Sequence, residues 1–195
     1  ESTPMIRKLA VSLFLFITAA VIAMLAIAAV RPATFHLERS TTTTAEPQTV
    51  FAIVNDLHRF HEWSPWQKLD PAMKSVVQGA GVGPGAMYSW TGNDEVGEGR
   101  MTITESTPVS HVGLKLEFLK PWSSANDMHF RIVPKSEGSR VTWEMSGTNN
   151  FMAKLMSLFM SMDRMLGRDF ASGLANLKRL SERDEAAAAA ARMVL

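Results

Sequence analysis

The chain has no cysteine. That excludes disulfides, a thiolate nucleophile and any zinc site built on sulfur, and it fits either side of a cell membrane. Net charge is nearly missing as well, with 20 Lys and Arg against 19 Asp and Glu. The balance persists beyond the N-terminal flank. A chain without a basic excess lacks the electrostatic footprint that nucleic acid requires, so no nucleic-acid partner is expected. Two catalytic signatures are also absent. There is no G-x-S-x-G elbow, and Gly79–Gly85 (GAGVGPG) lacks the Lys-Ser/Thr of a phosphate loop and leads into a strand, not a helix. Tyrosine occurs once, at Tyr88.

What the sequence has is one long apolar run. Leu9 to Val30, LAVSLFLFITAAVIAMLAIAAV, holds no charged side chain. At about 1.5 Å per residue it spans about 33 Å, the hydrocarbon thickness of a bilayer. Arg7 and Lys8 precede it, and Arg31-Pro32 follow. In lipid the backbone must bond to itself, so the run is predicted to be a single transmembrane helix. The rival is a cleaved signal with Ala26-Ile27-Ala28 at its end, but the run exceeds the ~7–15 residues of a signal's apolar region. A helix packed on a soluble domain of this size keeps a polar stripe, and this run is apolar on both faces, so a membrane span is expected over a soluble helix. The expected organisation is a flank over 1–8, the anchor over 9–30, one domain over 34–182 and an Ala-rich tail over 183–195. The two bases tight against the N-terminal end of the run favour a single-pass membrane protein with its domain in the periplasm or exterior.

Beyond the anchor the hydrophobic period changes twice. Thr34–Thr44 (TFHLERSTTTT) reads as a strand. Glu46-Pro47 opens a helix whose apolar face is Val50, Phe51, Ile53, Val54 and Leu57, and Arg59–Trp63 reads as a second short helix stopped by Pro65. Lys74–Gln78 is a short strand. Alternation then follows in Ala86/Tyr88/Trp90, Met101/Ile103, Val112/Leu114/Leu116/Phe118, Met128/Phe130/Ile132 and Val141/Trp143/Met145. Turn residues separate these runs. This predicts an antiparallel meander with one apolar face. From Phe151 to Leu180 the spacing returns to threes and fours, which predicts one long amphipathic helix weakened at Gly167 and Gly173. An antiparallel sheet curled around one long helix need not close its core, and two short helices between its first strands can hold one end open.

The segments FAIVNDLHRFHEWSPWQKLDP, GVGPGAMYSW, GRMTITESTPVSHVGLKLEF, RVTWEMSG and the final FMAKLM…MDRMLGRDFASGLANLKRL, in this order, resemble the SRPBCC superfamily, and within it the polyketide cyclase/dehydrase type. The resemblance covers about Thr34 to Glu182 and leaves the anchor outside. It implies an α+β helix-grip (START-like) fold: a curved antiparallel sheet of about seven strands around a long C-terminal helix, here with one added N-terminal transmembrane helix. It also implies a cavity between sheet and helix. The superfamily includes lipid carriers, hormone receptors and cyclases, so fold follows from the resemblance more sharply than function.

Candidate lining residues for a lipophilic pocket are Trp63, Trp66, Tyr88, Trp90, Met101, Leu116, Phe118, Met128, Phe130, Trp143, Met156 and Phe159. Most of them serve equally well as plain core. Trp63 and Trp66 flank Ser64-Pro65 and either gate the mouth, touch lipid headgroups or end a helix. Phe151–Met160 crowds more apolar surface than one stripe needs, which suits a protein partner, a ligand or a membrane. His58, His61 and Glu62 stand at helical spacing but lack a third convergent ligand, and a wet surface turn is the expected outcome. His36, His111 and His129 are expected to be isolated, and no metal site or cofactor is expected. Glu105, Glu117 and Glu144 are predicted to point away from the apolar face and to pair with Lys115, Arg131 or Arg140. An inner face with only Tyr88 and indole N–H groups favours binding over chemistry. The expected function is a membrane-tethered domain that binds or carries a hydrophobic small molecule or lipid. The alternatives are a cyclase/dehydrase-type enzyme and an interaction subunit of a membrane complex.

Overall fold

Alternation of apolar and polar residues sets the architecture. In the computed structural model, which describes residues 3–193, seven strands form one antiparallel sheet: β1 (Thr34–Thr43), β2 (Lys74–Gln78), β3 (Met87–Thr91), β4 (Glu98–Thr107), β5 (His111–Lys120), β6 (Ser124–Pro134) and β7 (Ser139–Thr148). The spatial order is β1-β7-β6-β5-β4-β3-β2. Helix α1 (Thr3–Val30) precedes the sheet, α2 (Pro47–Val54) and α3 (Phe60–Trp63) lie between β1 and β2, and α4 (Phe151–Met156) and α5 (Met162–Met193) follow β7. Glu1 and Ser2 of the expected flank, and Val194 and Leu195 of the tail, fall outside the described residues.

The apolar face is the one the alternation predicts. Tyr88, Met101, Ile103, Val112, Leu114, Met128, Phe130, Ile132, Val141, Trp143 and Met145 are all buried. From α5 they meet Phe170, Leu174, Leu177 and Leu180, at helical spacing. Helix α2 closes one end with Val50, Ile53 and Val54.

The expected continuous helix from Phe151 to Leu180 is instead two. Asn150 caps α4 by accepting from the Ala153 amide at 2.8 Å. Ser157 then donates back to the Lys154 carbonyl at 2.6 Å, and the Ser161 hydroxyl accepts from the Arg164 amide at 3.2 Å. The two serines thus offer the backbone alternatives to an unbroken helix. Gly167 and Gly173, expected to interrupt, lie inside α5. A Cβ at Gly173 would sit 2.8 Å from the Trp143 ring and 3.2 Å from Pro65, so glycine there lets helix and sheet approach.

A second correction concerns histidines. His111 and His129 are not isolated: they stack across β5 and β6 with ring centroids 5.2 Å apart. Among the glutamates, Glu117 pairs with Arg100 (2.7 Å), a partner that the strand pattern did not suggest, whereas Glu144 pairs with Arg131 (3.1 Å).

Register divides the domain into two ends. Thr34 pairs with Thr148, Asn126 with Gly147, Phe118 with Ser124, and Thr91 with Glu98. The junction with α1, the start of α4, the β5–β6 turn and the β3–β4 loop therefore share one end. At the other end lie the β4–β5 and β6–β7 turns, where Glu182 of α5 accepts from the Thr44 amide at 3.2 Å. Helix α1 includes Ile6–Val30, the one stretch among the described residues long and apolar enough to cross a membrane.

Candidate functional site

Between sheet and α5 lies a cavity of about 130 Å³. A water needs about 10–15 Å³ and a dry cavity of about 150 Å³ admits benzene, so the space suits a ring or a short stretch of alkyl chain. Seen from the sequence, the candidates separate into three groups. Trp66, Tyr88, Trp90, Met101, Leu116, Phe118 and Met128 line the cavity. Trp63, Phe130 and Trp143 pack behind it as solid core, with Trp63 edge-on to Phe130 at 5.7 Å and to Trp143 at 5.5 Å. Met156 and Phe159 lie outside, 42% and 72% exposed on α4 and the turn after it.

The lining also takes in residues that the sequence did not single out. Met145 and Phe170 sat on predicted apolar stripes, where nothing separates a lining position from a core one. Phe60 and Ser64 come from α3 and the residue after it, while Met73, Glu95 and Val96 come from loops without period. Leu166 enters from the first turns of α5.

Aromatic packing shapes the wall. Phe60 is edge-on to Tyr88 at 5.2 Å and stacks over Trp66 at 6.4 Å. Trp90 meets Phe118 edge-on at 5.8 Å and donates its indole N–H to the Val96 carbonyl at 3.0 Å. A Cβ at Gly99 would fall 2.6 Å from the Trp90 ring, so the indole lies over a bare stretch of β4.

Two loops form the rim, and one buried carboxylate joins them. Asp70 accepts from the Asn93 amide at 2.7 Å and from the Ala72 amide at 3.0 Å. Met73 from the first loop and Glu95 from the second stand at the cavity edge, at the end where α1 joins.

Polar groups inside are few and unsatisfied. Among the described residues, the Tyr88 hydroxyl and Ser64 Oγ are buried at the lining and make no hydrogen bond of normal geometry, and the indole N–H groups of Trp63 and Trp143 behind it are also without partners. An unpaired buried polar group costs about 1–3 kcal/mol, so a polar atom of a bound molecule has something to gain here. Burial pushes the Tyr88 phenol above its ordinary range, while Ser75 on the neighbouring strand lowers it. Burial also pushes the Asp169 carboxyl up, opposed by the Trp66 indole beside it. His58 bonds Asp56 at 2.9 Å and Glu62 bonds Arg59 at 2.9 Å, so this pair of expected surface groups is engaged locally.

Residues 34–182 match the family described as polyketide cyclase/dehydrase and lipid transport. No curated protein matches the chain. Among solved structures, the fold is similar to an uncharacterised protein from Rhizobium leguminosarum, at 13% identity and a TM-score of 0.57, over 77% of this chain and 95% of that one. It is similar to the Aha1 dimer from Colwellia psychrerythraea at 14% identity and a TM-score of 0.56, over 76% and 96%. It is also similar to the di-domain ARO/CYC StfQ of the steffimycin biosynthetic pathway, at 12% identity and a TM-score of 0.57, over 78% of this chain and 52% of that one. At these identities the structural likeness concerns the fold alone.

Proposed function

Because the chain belongs to the polyketide cyclase/dehydrase and lipid transport family, we propose that it is a membrane-tethered START-like domain that binds or carries a hydrophobic small molecule or lipid. One observation carries the reading: the rim of the apolar cavity lies at the end of the sheet where α1 joins. The join is short and held. Asn149 donates from its amide to the Ala33 carbonyl at 2.8 Å and from its side chain to the Pro32 carbonyl at 3.3 Å. With α1 in a bilayer, that end of the sheet is the one turned toward the lipid surface.

Helix α4 supports the same orientation. It runs beside α1, and Phe151, Met152, Met156, Phe159 and Met160 around it are exposed. Apolar side chains next to an anchor suit the interfacial zone of a membrane better than water. On this reading Met156 and Phe159, expected as pocket residues, touch lipid instead. The cavity is smaller than the 300–1,000 Å³ of typical ligand pockets. A whole lipid therefore needs the rim loops to part, breaking the bonds from Asn93 to Asp70 and to the Leu69 carbonyl.

The family's name includes cyclases, and among the described lining residues the Tyr88 hydroxyl, Ser64 and, at the edge, Glu95 are the polar groups that would serve such chemistry. No paired acid and base stands there, which favours carriage over catalysis.

The test is native mass spectrometry of the full chain purified from membranes in mild detergent, with organic extraction of what accompanies it. A hydrophobic species bound one per chain, and lost on Leu116→Trp, is the expected result. A protein that carries nothing and takes up no apolar probe overturns the reading.

A further inference from the structure

On the outer face of the sheet, opposite the cavity, three side chains converge. Glu105 on β4, His111 at the start of β5 and His129 on β6 each offer a ligand atom, and these atoms lie within 4.8 Å of one another. His111 Nε2 is 3.1 Å from His129 Nδ1. Glu105 Oε1 is 3.8 Å from Nδ1 of each histidine. Donors held about 2.0–2.1 Å from a tetrahedral ion stand about 3.3–3.5 Å from one another. The 3.1 Å between the two histidines is close to that spacing; His111 meets His129 through Nε2 and Glu105 through Nδ1, and an ion takes one nitrogen of a ring, so the side chains reorient to close on it.

The sheet builds this convergence. Glu105 is in register with Gly113, and Gly113 with His129, so the three stand in one row across β4, β5 and β6. His111 is two residues before Gly113 and shares its face. The central position of the row has no side chain. A Cβ at Gly113 would come within 2.6 Å of Glu105 Cγ, so glycine leaves the carboxylate free to lean over β5 toward both rings. The register shift between Ile103 and Glu105 is a bulge, a device that re-aims a side chain. Arg131, the cation in register with His111, is engaged by Glu144 at 3.1 Å, so its charge is partly offset beside the cluster.

We propose that Glu105, His111 and His129 form a site for a zinc-class divalent cation, which staples β4, β5 and β6 at the end of the domain remote from the anchor. Two imidazoles and one carboxylate suit a borderline ion such as Zn²⁺, with water in the open fourth position. The oxygen-seeking Mg²⁺ and Ca²⁺ are poorly matched by two nitrogens. The site stands independently of the cavity, since it occupies the opposite face of the sheet.

The experiment is calorimetric titration of the detergent-solubilised full chain, free of any histidine tag, with ZnCl₂ and with MgCl₂. One Zn²⁺ per chain and no Mg²⁺ is expected, together with a Tm that rises in Zn²⁺. His129→Ala and Glu105→Gln each weaken Zn²⁺ binding about tenfold or more and abolish the Tm rise. Circular dichroism of each variant without metal keeps a folding defect separate from a binding defect, and the exposed Glu105→Gln is the mildest change. Absence of saturable Zn²⁺ binding by the wild type overturns the proposal. So does binding that survives His111→Ala combined with His129→Ala.

Discussion

The indole of Trp143 lies on the ring of Phe170, with centroids 4.0 Å apart and planes 18° from parallel. Trp143 belongs to β7 and Phe170 to α5, so this stack joins the sheet to the helix it grips. Gly173, one turn further along α5, gives the indole its room. The same Phe170 also forms part of the cavity wall, so grip and pocket share a residue.

That stack predicts a large cost for its loss. Phe170→Ala removes a fully buried ring and is expected to destabilise the domain by about 3–5 kcal/mol. Gly173→Leu drives a side chain against Trp143 and Pro65 and is expected to cost at least about 1–3 kcal/mol. Urea denaturation of the detergent-solubilised chain, followed by tryptophan fluorescence, reads both. A Gly173→Leu variant as stable as wild type would show that α5 and β7 are not in such close contact.

The cavity and its polar atoms predict two opposite outcomes. Leu116→Trp fills the space and is expected to lower affinity for an apolar fluorescent probe about tenfold or more, through loss of volume. Tyr88→Phe removes a buried hydroxyl that makes no hydrogen bond of normal geometry among the described residues, so the unliganded protein should be as stable as wild type or gain up to about 1 kcal/mol. Affinity for a probe with a polar head should fall in the same variant, while affinity for a purely hydrocarbon probe is kept. Probe titrations and thermal melts on the two variants check this.

Two carboxyl groups predict pH effects of opposite sign. The Arg59 guanidinium holds the Glu62 carboxyl below its ordinary range, with burial opposing. Its contribution is present above the ordinary carboxylate pKa of 4.5 and is lost as pH falls through the depressed value. Burial raises Asp169 above its ordinary 3.8. The folded state keeps that proton longer, so Asp169 costs stability as pH rises from 3.8 through the raised value. Glu62→Gln should therefore lower Tm at neutral pH and flatten its acid limb, whereas Asp169→Asn should raise Tm at neutral pH and converge with wild type in acid. Melts from acid to neutral pH decide both signs.

The anchor predicts a retained segment. The mass of the protein recovered from cells should include residues 9–30, and the protein should stay in the membrane pellet after alkaline carbonate. Protease added to intact spheroplasts should remove the domain if it faces the periplasm. A mature chain starting after Ala28 and released in soluble form would favour the cleaved-signal reading.

Much of this molecule is legible in one dimension, because period reports burial. The alternation at Val112, Leu114, Leu116 and Phe118 and the spacing of Phe170, Leu174 and Leu177 each mark a face turned to one core. The same logic cannot separate Leu116, at the cavity, from Ile132, in solid packing, since both positions are simply inward. Nor does period reach Met73 or Val96, which come to the rim from loops tied by Asp70. The break after Met156 escaped for a related reason: the apolar spacing runs on through Ser157–Ser161, while serine hydroxyls redirect the backbone.

The order of polar and apolar residues is enough to define the apolar first helix, the strand-rich middle, the amphipathic last helix and the family to which these belong. Each is a local pattern of side-chain polarity, and burial enforces such patterns residue by residue. Folding in three dimensions sets which inward residues surround a void, which end of the sheet the void shares with the anchor, and that Glu105, His111 and His129 meet over Gly113. Those relations depend on strand register across residues distant in the chain, and register is fixed by pairing and packing in space.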